Sequence, residues 1–113
     1  MIKKYNFLVR KEGMSHEEFV REWTEGHAAL VKKFPGMARY VQHYWAEPGP
    51  RWSTRPTADI EFDGIAETWF ENAEVMERCG QSQEQAVAGA NTNRFISKSK
   101  VFLMEQKIIV PGK

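Results

Sequence analysis

FVREWTEGHAALVKKFPG, residues 19–36, reads as an amphipathic helix followed by its stop signal. Wound at about 100° per residue, Phe19, Val20, Trp23, His27, Leu30, Val31 and Phe34 fall within one arc of roughly 120°, the width of a buried stripe. Arg21, Glu22, Glu25, Lys32 and Lys33 fall outside that arc, as a solvated face requires. A histidine therefore stands where a leucine would be expected. Two readings of His27 remain open. Its ring nitrogens are satisfied inside a core by a carbonyl or a neighbouring side chain. Alternatively, the ring lines a pocket beneath the helix, where its near-neutral pKa suits proton transfer.

Outward from this helix, each flank reads as a strand. IKKYNFLVR, residues 2–10, carries Tyr5, Phe7 and Val9 on one face and Leu8 on the other. Ser15 with Glu18 forms a capping-box pattern that starts the helix at about residue 16. Phe34-Pro35-Gly36 ends it, because proline cannot continue a helix and glycine tolerates the turn. MARYVQHYWA, residues 37–46, places Ala38, Tyr40, Gln42 and Tyr44 on one side and Met37, Arg39, Val41, His43 and Trp45 on the other.

EPGPRWSTRPT, with Arg51, Trp52 and Arg55, is expected to be a loop. A third strand is expected over 57–70 with a bulge or bend at Gly64. Asn72 caps a short helix through about Arg78, and Ser82 with Gln85 caps another through about Ala90. A last strand is expected over 94–105. The order β-α-β-β-α-β specifies an α+β, ferredoxin-like sandwich, read as a single domain over 1–113. Helices on one side leave the other sheet face bare, and Tyr5, Phe7, Trp45 and Phe102 make it apolar. A second copy of the chain, a homodimer, is the expected cover.

Composition narrows the function classes. With 42% hydrophobic and 27% charged residues and a net charge of +1, the chain lacks the basic excess of a nucleic-acid binder. No apolar run reaches membrane-spanning length. Cys79 is the single cysteine, so neither an intrachain disulfide nor a cysteine-based zinc site can form, and a cytoplasmic location is expected. HEE at 16–18 would begin a zincin helix only if residue 20 were histidine, and it is Val20. No glycine-rich phosphate loop occurs, so no cofactor and no metal are expected.

Several polar residues carry two readings each. Asp59, Glu61 and Asp63 share a face at period two, and with Glu67 they are expected to be solvated or paired with Arg39 or Lys98. Asp59 or Glu67 could instead orient the His27 ring. The phenol of Tyr40 could bond a substrate oxygen or be anchored to backbone. Trp69 fills the core or walls a pocket, and Met76 and Cys79 are expected in the core.

These residues resemble a known family. KKYNFLVRKEGMSHEEFVREWTEGHAALVKKFPGMARYVQH, residues 3–43, and GIAETWF, residues 64–70, are similar to the EthD family of dimeric α+β barrel proteins. The likeness lies in the Gly-Met-Ser-His-Glu-Glu-Phe helix start, the Trp-x-x-x-His pair and the Pro-Gly-x-x-x-Tyr exit. The resemblance implies a ferredoxin-like subunit whose sheet packs on a second one. Members and relatives include proteins linked to ether degradation, polyketide cyclases and dehydratases, cofactor-free oxygenases and methylmuconolactone methylisomerases. In the last of these the pocket histidine and tyrosine fall on His27 and Tyr40. Their cysteine falls on Thr68, however, and their histidine before the third strand has no counterpart in residues 48–58, which argues against the same reaction.

The expectation is a homodimer that acts, without a cofactor, as a lyase or isomerase on a small aromatic or lactone-like compound of catabolic or polyketide-type metabolism. His27 would shuttle a proton beside a carbonyl and Tyr40 would stabilise the oxyanion, with Trp23, Asp59, Thr68 and Trp69 lining the substrate. The alternatives are a non-catalytic ligand-binding or accessory protein of an oxygenase system and a cofactor-free monooxygenase.

Overall fold

The computed structural model describes residues 1–47, 58 and 60–112. Arg51, Trp52, Arg55 and Asp59 lie outside the described residues. The chain runs β1 (Ile2–Arg10), α1 (His16–Arg21), a π-helical turn (Glu22–His27), α2 (Ala28–Val31), β2 (Met37–Tyr44), β3 (Gly64–Phe70), α3 (Ala73–Gly80), α4 (Gln83–Thr92) and β4 (Ile96–Met104). The strands form one antiparallel sheet in the order β2-β3-β1-β4. This is the α+β, ferredoxin-like arrangement expected from the element order.

The helix starts follow their caps. Ser15 accepts the Glu18 amide at 3.1 Å, Asn72 accepts that of Val75 at 2.9 Å, and Ser82 accepts that of Gln85 at 3.1 Å. The first helix ends at Val31 rather than Phe34, and Gly36 then takes a φ of 74°, open to glycine and strained for other residues.

The helices cover one sheet face, where Leu8, Phe19, Trp23 and Phe95 form the buried core. Gly64 opens β3 rather than bending a longer strand. A Cβ there would stand 2.6 Å and 2.9 Å from two ring atoms of Trp23, so the residue must be glycine for the indole to lie on the strand.

Among the described residues, 60–63 are not strand, and Asp63 explains why. It was expected on a solvated acidic face, yet it is fully buried. Its Oδ2 accepts the Arg10 amide at 2.8 Å, and its Oδ1 accepts Arg10 Nη1 at 2.7 Å and His16 Nδ1 at 2.8 Å. Burial raises the carboxyl pKa, but the Arg10 amide, His16 and the Arg10 guanidinium together outweigh it and hold the pKa below the ordinary value of 3.8. His16 Nε2 lies 2.7 Å from the Trp45 carbonyl. Glu61, by contrast, is exposed and lies 3.9 Å from Lys98, as expected.

Trp45, expected on the bare sheet face, leaves the sheet instead. Its ring stacks on His16 at 3.4 Å and 5°, and its Nε1 donates to the Phe62 carbonyl at 2.8 Å. The bare face keeps Tyr5, Phe7, Val41, Ile65, Trp69 and Phe102, the residues whose parity opposes the helix layer.

The network around Asp63 ties β1, the start of α1 and the entry to β3. Asp63→Asn, which removes the charge at constant shape, is expected to cost about 3 kcal/mol and lower the melting temperature by roughly 10 °C or more. The stabilisation from the depressed carboxyl is complete above pH 3.8 and is lost as pH falls through its lower folded value. Thermal melts across that range should show an acid-dependent loss in the parent chain that is diminished in Asp63→Asn.

Candidate active site between sheet and helices

Strand register builds the floor of a cavity under the first helix. Tyr40, Thr68 and Lys4 align in one row across β2, β3 and β1, and Gln42, Ala66 and Asn6 align in the next. The roof is Trp23, His27 and Val31 from the first helix and Ala88, Gly89 and Thr92 from α4. The cavity holds about 100 Å³ and is partly open to solvent.

His27 ends the π-helical turn and is 7% exposed. Its Nδ1 lies 2.9 Å from Asn91 Oδ1, which can only accept, so Nδ1 carries the proton and Nε2 keeps its lone pair. Burial pushes the pKa below 6.5, and the Asn91 bond opposes that shift without cancelling it. The edge of the ring meets Phe95 at 5.3 Å and 67°, which fixes its plane. At neutral pH the residue is an uncharged proton acceptor.

Tyr40 is held from the other side. Gln42 Nε2 donates to the Tyr40 hydroxyl at 3.0 Å and to the Trp23 carbonyl at 3.0 Å. Burial raises the Tyr40 pKa above 10.0, and hydrogen bonds from Gln42 and Trp23 offset part of the rise. The hydroxyl thus accepts from its neighbours and retains its own proton to donate. Within the π-helical turn the Trp23 carbonyl also accepts the Ala28 N–H.

Of the residues expected at the site, the fold brings His27, Tyr40, Trp23 and Thr68 to one cavity. Asp59 lies outside the described residues. Trp69 is on the opposite sheet face, where Lys3 and Arg39 stand over its ring at 4.6 Å and 5.1 Å, so it is no wall of this cavity. Glu67 is on that opposite face too and cannot orient His27. It accepts from His43 Nε2 at 2.9 Å and from Trp69 Nε1 at 2.6 Å. The orienting group is Asn91, which the sequence reading missed. Its one signal is position, since it follows Ala88 by three residues and so shares the inner side of α4.

Cys79 is buried and its thiol is pushed up by burial, which keeps it from acting as a nucleophile. Among the described residues, no three His, Cys, Asp or Glu side chains converge in a metal-holding group. None of the helices described is long and apolar enough to cross a membrane.

A ferredoxin-like sandwich with a His–Tyr cavity between its layers is the class that fold and site define. The chain belongs to the EthD domain family, which it matches over residues 11–99. It is 28% identical over 109 residues to a 4-carboxymethyl-4-methylbutenolide mutase of Pseudomonas reinekei, covering 96% of this chain and 100% of the relative. Among solved structures, an EthD family protein of Bacillus halodurans superposes with a TM-score of 0.71 at 18% identity, over 95% of this chain and 100% of that one. A dimeric ferredoxin-like protein of unknown function from Bacteroides fragilis gives a TM-score of 0.67 at 12% identity, over 93% and 95%.

The link from Gln42 to Tyr40 has a measurable consequence. Gln42→Leu deletes a hydrogen bond that lowers the phenol pKa, so the Tyr40 midpoint should move further above 10.0. A carbon-13 NMR titration of labelled tyrosine reads this, and an unchanged midpoint would show that Gln42 does not support the hydroxyl.

Proposed function

We propose that the chain is a cofactor-independent isomerase or lyase acting on a small ring compound, aromatic or lactone-like. The observation that carries this reading is the His27 ring, which is tied at Nδ1 to Asn91 and lines the same cavity as Tyr40. A neutral imidazole of this kind takes a proton from carbon beside a carbonyl. The Tyr40 hydroxyl donates to the oxygen as enolate charge develops there. The imidazolium then returns the proton, to a different carbon in an isomerisation or to a departing group in an elimination. Each route restores the neutral ring.

Two further findings support the reading. The curated relative is a mutase, an enzyme that rearranges its substrate. A cavity of about 100 Å³ lies below the ~150 Å³ that admits benzene, so it has no room for a fused polyketide skeleton. Thr68, half-way along the floor, adds a hydroxyl within the same wall.

The reading also makes the protein a cytoplasmic homodimer, with the bare faces of two sheets in contact. Phe102 is 45% exposed on that face, and Phe7 meets it edge-on at 5.8 Å. Sedimentation should give the mass of a dimer, and Phe102→Asp should give a monomer. A parent chain that sediments as a monomer would end this part of the proposal.

His27→Gln should fold with a melting temperature close to that of the parent and lower turnover by roughly 10²- to 10⁴-fold. Tyr40→Phe should act in the same direction but less severely, because it deletes one donor rather than the proton carrier. The pH dependence follows from the two shifts. His27 must be uncharged, so kcat/KM should fall on an acid limb below 6.5. Tyr40 must be protonated, so the alkaline limb should lie above 10.0. Full activity in folded His27→Gln would leave a non-catalytic binding role in its place.

A further inference from the structure

Proton transfer between His27 and Tyr40 gives no task to the β1 wall of the cavity. Lys4 and Asn6 stand there, on the helix-facing side of a central strand. Lys4 is half-buried there, lining the cavity. Among the described residues, no carboxylate forms an ion pair with Lys4. Lys3, its neighbour in sequence, points to the opposite face and sits over Trp69.

Asn6 adds a second unmet demand. Its Oδ1 is buried without a hydrogen-bond partner, and a buried acceptor left in this state calls for a donor from whatever fills the space beside it. The row Tyr40–Thr68–Lys4 crosses two strand spacings, so the tyrosine and lysine backbones lie about 10 Å apart.

We propose that Lys4 and Asn6 form the anchoring end of the cavity, and that the substrate is a ring-sized carboxylic acid. Its carboxylate pairs with Lys4, and a hydroxyl on the ring donates to Asn6. This inference rests on the reading of the cavity as an active site. The anchor fixes the ring so that its far side meets His27 and Tyr40. It also selects the anion over the neutral ester, since only the anion gives the ammonium a partner.

The test uses three probes, benzoate, methyl benzoate and 3-hydroxybenzoate, titrated against the intact protein while the His27 ring resonance is followed by NMR. In the parent chain benzoate should bind at least about tenfold more tightly than its methyl ester. Lys4→Met should abolish that preference while leaving ester binding in place, and Lys4→Arg should keep it. 3-Hydroxybenzoate should bind more tightly than benzoate, and Asn6→Leu should remove the difference. Equal binding of acid and ester in the parent chain would overturn the anchor whether or not Lys4→Met folds. In that case, a shift of the His27 resonance by the ester would leave the proton-transfer reading standing. No shift with any probe would remove both. Absence of a hydroxyl advantage in the parent chain would remove the role of Asn6.

Discussion

The carbonyl of Trp23 accepts from two directions, and the arrangement of the cavity depends on it. In a regular α-helix this oxygen would be taken by the amide of His27. The π-helical turn gives it the amide of Ala28 instead, and its second lone pair accepts Gln42 Nε2 at 3.0 Å. The same nitrogen donates to the Tyr40 hydroxyl, so the distortion of a helix is coupled to the state of a phenol one layer below. The indole of Trp23 completes the constraint by lying against Gly64, where a Cβ would stand 2.6 Å from it. Helix, β2 and β3 are therefore fixed relative to one another by a single residue, and His27 at the end of the same turn is placed over the floor that they form.

The two faces of the sheet divide the work. Toward the helices, small or polar side chains at Ala66, Thr68 and Asn6 leave space, which is why a cavity exists there rather than a filled core. Away from the helices, aromatic rings and a buried carboxylate crowd the surface. Glu67 is 7% exposed and is supplied by donors from His43, Trp69 and Tyr5. Burial raises the Glu67 pKa, but those bonds outweigh it and keep the group ionised. A carboxylate so fully supplied with donors is already prepared for removal from water.

Much of this was legible in the sequence because it rests on local rules. The caps at Ser15, Asn72 and Ser82 and the inward stripe through Trp23 and His27 all act within a few residues. Tyr40 was readable as a candidate from strand parity. What could not be read is non-local or breaks the assumed geometry. The Arg10–Asp63–His16 network joins residues 47 and 53 positions apart, and Asn91 meets His27 across 64. A wheel drawn at a fixed angle cannot show a π-helical turn. Trp45 left its strand because stacking on His16 competes with continuing the ladder. Thr68 and Trp69 are adjacent in a strand, so only one of them can face the cavity.

The central claim is that His27 is an uncharged base with its free nitrogen in the cavity. Nitrogen-15 chemical shifts of the His27 ring near neutral pH test it most directly, since they distinguish the two neutral tautomers from each other and from the imidazolium. The predicted result is a proton on Nδ1, held by Asn91, and a bare Nε2. A ring protonated on Nε2 alone, or on both nitrogens, would contradict the claim.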